Sequence, residues 1–167
     1  FHSGRVYFGA ADGAIRCLNA DSGELVWRFL AAPVRTAITV RDQLESPWPV
    51  AGSVLIRDDT VYAFAGRSAF TDGGMYLVKL DAASGELQAT QRYYNREPET
   101  GRQIPDDVNS LYLAGLLYDI PSSRDDSIFL REACLDLNGV RRKEGIAHLY
   151  SAGGFLDDAW WHRYSMQ

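Results

Sequence analysis

The chain has 167 residues, of which 46% are apolar, 23% charged and 12% aromatic, the composition of an ordinary globular fold. Its net charge of −5 argues against the basic face that non-specific nucleic-acid binding needs. No run of about 18 apolar residues exists to cross a membrane as a helix, and the Arg141-Arg142-Lys143 triplet, followed at once by Glu144, reads as a solvated turn.

The first unit opens almost at the N-terminus. Arg5 to Gly9 is rich in β-branched and aromatic residues and predicts a strand. Asp12-Gly13 predicts a hairpin turn, because Asp-Gly readily takes the positive φ values such turns need. Ala14 to Asn19 returns as the partner strand, Ala20 to Gly23 turns again, and Glu24 to Phe29 makes a third strand. Simple alternation sends Leu25, Trp27 and Phe29 to one face and Val26 and Arg28 to the other. A fourth strand would be expected before Phe1. Residues 31–50 read as a connector, since Pro33, Pro47 and Pro49 interrupt regular structure. Within it Thr36 to Val40 fits a short strand, and Trp48 is anchored in a loop, either packed under the connector or lining a ligand face.

The second unit repeats the first. Val61-Tyr62 aligns with Val6-Tyr7, and Ala83-Ser84-Gly85-Glu86-Leu87 with Asp21-Ser22-Gly23-Glu24-Leu25. It predicts strands at Ser53 to Ile56, Thr60 to Ala65, Met75 to Asp81 and Glu86 to Tyr93, with turns at Asp58-Asp59 and Ser84-Gly85. Its central hairpin, Gly66 to Gly74, is about seven residues longer than its counterpart, either a specificity loop or a surface insertion. Self-similarity at a period of roughly 40 to 60 residues signals a stacked or radial repeat whose units need neighbours on both sides.

Beyond Asn95 the pattern loosens. Asn95 to Asn109 is a polar excursion with two prolines. Leu111 to Ile120 is strongly apolar and begins a third unit, with its middle strands in Ser127 to Leu137. Only six positions separate Ile128 from Cys134, against eleven between Val6 and Cys17, so either the turn has shrunk or one long strand replaces two. Leu137-Asn138-Gly139 takes the place of the Ser-Gly-Glu turn. The expected layout is one all-β domain over 1–167: a partial unit at 1–30, a full unit at 52–93, a divergent one at 110–140 and the start of another at 148–167. No amphipathic helix of three turns is expected.

Cys17 and Cys134 each precede a Leu-Asn or Leu-Asp pair, which puts them at the same register position in different units. A disulfide needs Cα atoms within about 7 Å, so Cys17-Cys134 pairing is not expected and both thiols should be small buried apolar groups. No leader-like n-region or h-region is present. The chain starts in a strand and stops after an aromatic run, so both ends read as cut from something longer.

The stretch Val6-Tyr7-Phe8-Gly9, Asp12-Gly13, Leu18-Asn19, Ser22-Gly23-Glu24-Leu25 and Trp27 resembles the pyrroloquinoline quinone (PQQ)-like repeat of bacterial quinoprotein-type β-propellers. The second unit keeps Leu80-Asp81 and Ser84-Gly85-Glu86-Leu87 but has Ala89 in place of the tryptophan. The resemblance implies four-stranded antiparallel blades, present here as an incomplete arc of about three. It implies blade docking by Trp27 and the Gly23 turn, and an extracytoplasmic, periplasmic setting. Partners are then the remaining blades, copies of the chain, or another protein.

Two function classes follow from the resemblance. Quinoprotein dehydrogenases hold PQQ and calcium in the channel and oxidise alcohols or sugars. Their site uses oxygen ligands and a vicinal cysteine pair on the quinone, and this chain has no adjacent cysteines. The other class, exemplified by outer-membrane protein assembly lipoproteins, binds protein partners without a cofactor. The chain is expected to belong to that second class, as a binding or scaffold module with no cofactor.

The densest polar-aromatic group is Asp157, Asp158, Trp160, Trp161, His162 and Arg163. It reads either as a ligand face for a metal, sugar or cofactor, or as a turn followed by a strand whose side chains alternate between faces. Its spacing matches no specific metal pattern. His148 reads as structural. A carbohydrate-active propeller is a third reading, with Trp48, Trp160 and Trp161 as stacking platforms beside a carboxylate pair.

Overall fold

In the computed structural model, which describes residues 1–97, 99–102, 108–109, 112–113, 116–131 and 133–142, the two repeats form separate antiparallel sheets. The first sheet contains β1 (Arg5–Gly9), β2 (Ala14–Asn19) and β3 (Leu25–Leu30) in that order. Gly13, at φ 78°, closes the first hairpin, and the Asp12 carboxylate caps it by accepting from the Ala14 amide. Trp27 pairs with Cys17, but Leu25 pairs with Leu18, because the register shifts by one residue between Cys17 and Leu18. This bulge corrects the simple alternation: Leu25 turns away from Trp27 and is 57% exposed.

Between the sheets lies a hairpin of β4 (Ile38–Val40) and β5 (Gln43–Glu45). Arg41 and Asp42 form its two-residue turn, both at positive φ. Residues 49–52 then thread between the sheets. The Gly9 amide donates to the Gly52 carbonyl, the Val50 amide to Ala10, and the Gly66 amide to Pro49. Gly9 is required here, since a Cβ would collide with the Ala51 carbonyl and the Val50 side chain.

The second sheet is a four-stranded meander of β6 (Leu55–Arg57), β7 (Thr60–Ala65), β8 (Met75–Asp81) and β9 (Leu87–Tyr93). Its period-2 alternation builds two cores. Val61, Ala63 and Ala65 of β7, with Val78 and Leu80 of β8, pack against Tyr7, Ile15, Cys17 and Trp27 of the first sheet. Tyr62 and Phe64 of β7, with Met75 and Leu77 of β8, pack on the other side against Ile128, Leu130, Ala133 and Leu135.

Those last residues belong to the third sheet, whose strands follow two short ones, β10 (Val108–Asn109) and β11 (Tyr112–Leu113), that pair with each other. The third sheet contains β12 (Ser122–Arg124), β13 (Ser127–Leu130) and β14 (Ala133–Asp136). The shortened spacing there is a tight turn, with Arg131 at φ 55°, and not one long strand. The apolar stretch before it is a second connector. Leu117 bridges to Ser68, while the Ala69 amide donates to the Leu116 carbonyl and the Tyr118 amide to Arg67. The long 66–74 hairpin is thereby clamped, with Ala69 and Phe70 buried.

Successive antiparallel sheets stacked face to face and joined by crossing connectors are blades of an incomplete β-propeller. Among the described residues there is no helix, and none long and apolar enough to cross a membrane. Both cysteines are free and buried, in different sheets.

Candidate functional site

Each sheet ends its second long strand with an Asx residue that shapes the following turn. Asn19 Oδ1 accepts from the Asp21 and Ser22 amides, Asp81 Oδ1 from the Ser84 amide, and Asp136 Oδ1 from the Asn138 and Val140 amides. Hydrogen bonds from Ser84 hold the Asp81 carboxyl below the ordinary carboxylate range. These turns place a glycine at positive φ: Gly23 at 72°, Gly85 at 74° and Gly139 at 83°.

The turn of the second sheet receives the first. The Ala82 carbonyl accepts from Trp27 Nε1 and from the Tyr7 hydroxyl, both at 3.1 Å. The Arg5 guanidinium donates to the Ala83 carbonyl at 2.6 Å. Trp27 and Tyr7 meet as tilted rings with centroids 5.8 Å apart. A Cβ on Gly85 would lie 2.6 Å from the Trp27 Cδ2, so only glycine leaves room for the indole. Burial, with the neighbouring Cys17, pushes the Tyr7 hydroxyl above its usual pKa, and burial does the same to the Cys17 thiol.

Gly23 occupies the equivalent position in the first sheet, and nothing lies within 4 Å of its would-be Cβ. The glycine that faces Trp27 is thus Gly85, across the blade boundary. The two turns share one local sequence and one backbone geometry, and only Gly85 lies against the indole.

The second boundary is built differently. Ala89 pairs with Lys79 as Trp27 pairs with Cys17, and lacks the indole. A cavity of about 20 Å³, lined by Leu77, Lys79, Ala89, Thr90, Gln91 and Asn138, remains beside it. Instead the Tyr93 hydroxyl, at the far end of β9, donates to the Gly139 carbonyl at 2.6 Å. Burial, reinforced by the Asp136 charge, pushes the Tyr93 hydroxyl well above its ordinary pKa. Nothing in the local sequence marked Tyr93 for this role. Arg57 also bonds Asp126 across the same boundary at 3.1 Å.

A cleft of about 420 Å³ lies between the first sheet and the β4–β5 hairpin. Asp12, Arg28, Leu30, Arg35, Leu44 and Glu45 are among its lining residues. Asp12 is bound by both Arg16 and Arg28. The Arg16 hydrogen bond is the main cause that holds its carboxyl far below the usual range. Trp48 packs half-buried against the first core, with its Nε1 enclosed and without a partner.

Asp157, Asp158, Trp160, Trp161, His162 and Arg163, and likewise His148, lie outside the described residues. Among the described residues no group of three or more His, Cys, Asp or Glu could hold a metal ion. The two cysteines sit in separate sheets and offer no vicinal pair.

No family model matches the chain, and no curated protein matches it. Among solved structures, BamB from Moraxella catarrhalis aligns at 17% identity and TM-score 0.46, covering 92% of this chain and 37% of BamB. A europium-containing methanol dehydrogenase aligns at 12% identity and TM-score 0.44, covering 83% of this chain and 22% of that enzyme. The computationally designed protein Ika8 aligns at 12% identity and TM-score 0.27, covering 84% and 42%. This chain thus spans less than half the length of each of these three.

Proposed function

We propose that this chain is a non-catalytic binding or scaffold arc of a larger PQQ-like repeat propeller, working in an extracytoplasmic compartment. The observation that carries the reading is the outer face of the first sheet. Val6 is 40% exposed, whereas its counterpart Val61 is fully buried against the first sheet. Phe8 and Leu18 are likewise half-buried, where Ala63 and Leu80 are enclosed. Val6, Phe8 and Leu18 leave an exposed apolar strip on this face, bordered by Arg16 and Arg28 in register with Phe8, and such a strip suits a covering blade. The open surroundings of Gly23 on the matching turn suit a second docking tryptophan from the covering blade.

The scaffold role is supported by how the described polar side chains are used. Arg5, Tyr7, Trp27, Arg57 and Tyr93 are spent on holding one sheet to the next. The test is titration of the intact native protein with PQQ and calcium. No change in quinone absorbance is expected. A saturable spectral change would replace the scaffold reading with that of a quinoprotein dehydrogenase.

A further inference from the structure

The second sheet has a neighbour on each side, so the exposure of its outer strand does not depend on any further blade. That strand, β9, ends the sheet order, and among the described residues no further strand pairs with its outer edge. Residues 87–92 are all exposed. Such an edge presents unpaired N–H and C=O groups as a template, which proteins usually blunt with charge, proline or a bulge. Here the register shift at Lys79–Leu80 disturbs only the start of the strand. From Ala89 to Tyr93 pairing with β8 is regular, and Ala89-Thr90-Gln91 carries neither charge nor proline.

The edge runs directly into a basic, aromatic cluster. The Arg92 guanidinium carbon lies 4.7 Å from the Tyr94 ring centre and 5.9 Å from that of Tyr76. The Arg96 guanidinium lies 5.9 Å from the same Tyr94 ring. Arg92 Nε donates to the Gly73 carbonyl at 2.7 Å, and Arg96 to the Gly101 and Phe70 carbonyls, which fixes both stems. Among the described residues no carboxylate comes within ion-pair distance of either, whereas Arg28 of β3 is held by Asp12. Glu97 and Glu99 follow in the chain and Asp72 precedes the Gly73 that Arg92 contacts, yet none of them forms an ion pair with either guanidinium.

We propose that the Ala89–Tyr93 edge accepts an extended acidic segment of a partner protein as an added strand, with its carboxylates seated on Arg92 and Arg96. Backbone hydrogen bonds along the edge supply sequence-tolerant affinity. The two guanidinium groups select an acidic end and set the register, since charge-assisted bonds are roughly twice as strong as neutral ones. The edge is separate from the uncovered face of the first sheet, so ring closure and partner binding can coexist.

The probe is a seven-residue peptide of alternating threonine and valine carrying two glutamates, made with the acidic pair at either end. Fluorescence anisotropy reads its affinity for the unmodified chain, and amide hydrogen exchange reads the site. Binding by one peptide direction, with slowed exchange at alternate amides of 89–93, is expected. Replacing the glutamates by glutamines, or Arg92→Gln with Arg96→Gln in the chain, should weaken binding at least tenfold. N-methylation of alternate peptide amides should abolish it, a test that needs no change to the protein. Absence of binding at millimolar peptide, protection elsewhere in the chain, or binding indifferent to N-methylation would each overturn the proposal.

Discussion

Trp27 and Gly85 share one space across a blade boundary: a Cβ on the glycine would lie 2.6 Å from the indole Cδ2. Gly23 has the same backbone geometry, φ 72° against 74°, with no such neighbour. Alanine at either site carries the left-handed penalty of roughly 1–2 kcal/mol. Only Gly85→Ala also displaces the indole, which adds roughly 1–3 kcal/mol of overpacking. The urea midpoint of Gly85→Ala should therefore fall clearly below that of Gly23→Ala. Equal midpoints would show that Trp27 does not dock at this turn.

Trp27 and Tyr7 donate to the same Ala82 carbonyl. Trp27→Phe or Tyr7→Phe alone leaves that buried acceptor one good donor and should lower stability by about 1 kcal/mol. The double variant leaves it only the long 3.5 Å contact from Arg5. Its loss should exceed the sum of the single losses in a double-mutant cycle. Simple additivity would mean that the two donors act independently. Trp27→Ala should be far worse, by about 3–5 kcal/mol, because it also empties the first core.

Tyr93 ties the second sheet to the third only while its hydroxyl keeps its proton. Its folded pKa is raised, so its contribution is fully present below the unfolded tyrosine value of about 10. It is lost as pH rises from there towards the folded value. Tyr93→Phe should lower stability by about 1 kcal/mol at neutral pH. It should also flatten part of the fall in urea midpoint above about pH 10. An alkaline limb unchanged in Tyr93→Phe would assign that fall to other buried tyrosines such as Tyr7 and Tyr62.

Asp12 works in the opposite direction. Its folded pKa is depressed by Arg16 and Arg28, so its contribution holds above the unfolded aspartate value of about 3.9. It disappears as pH falls from there towards the folded value. With the carboxylate 42% exposed, solvent screening limits the effect to about 1 kcal/mol or less. Asp12→Asn should therefore leave a small deficit at pH 7 that closes near pH 2 in thermal melts. A deficit that persists in acid would show that the loss does not come from the ion pairs with Arg16 and Arg28.

Much of the strand order was legible because the relevant signals are local. Asp12-Gly13 and the Ser-Gly turns announce backbone positions with φ above zero, and the apolar run Val61 to Ala65 announces a strand. The turns at Arg41-Asp42 and Asp58-Asp59 reach the same geometry without glycine. The first of them gave no signal, so β5 went unread. The flip of Leu25 was hidden for a related reason: a single bulged residue inverts the facing of everything before it without changing composition. The Asp157–Arg163 group, the densest polar-aromatic run in the chain, lies outside the described residues.

The sequence by itself determined the meander of the first two units and the positive-φ turns within them, because strands and turns depend on neighbours a few residues apart. Only the tertiary structure decided that Trp27 reaches Gly85, that Tyr93 replaces the tryptophan missing at Ala89, and that residues 116–118 clamp the long hairpin. Those are contacts between segments tens of residues apart. They arise when sheets stack and each interface settles on whichever side chain fills it, a choice made by volume and hydrogen bonding across the boundary.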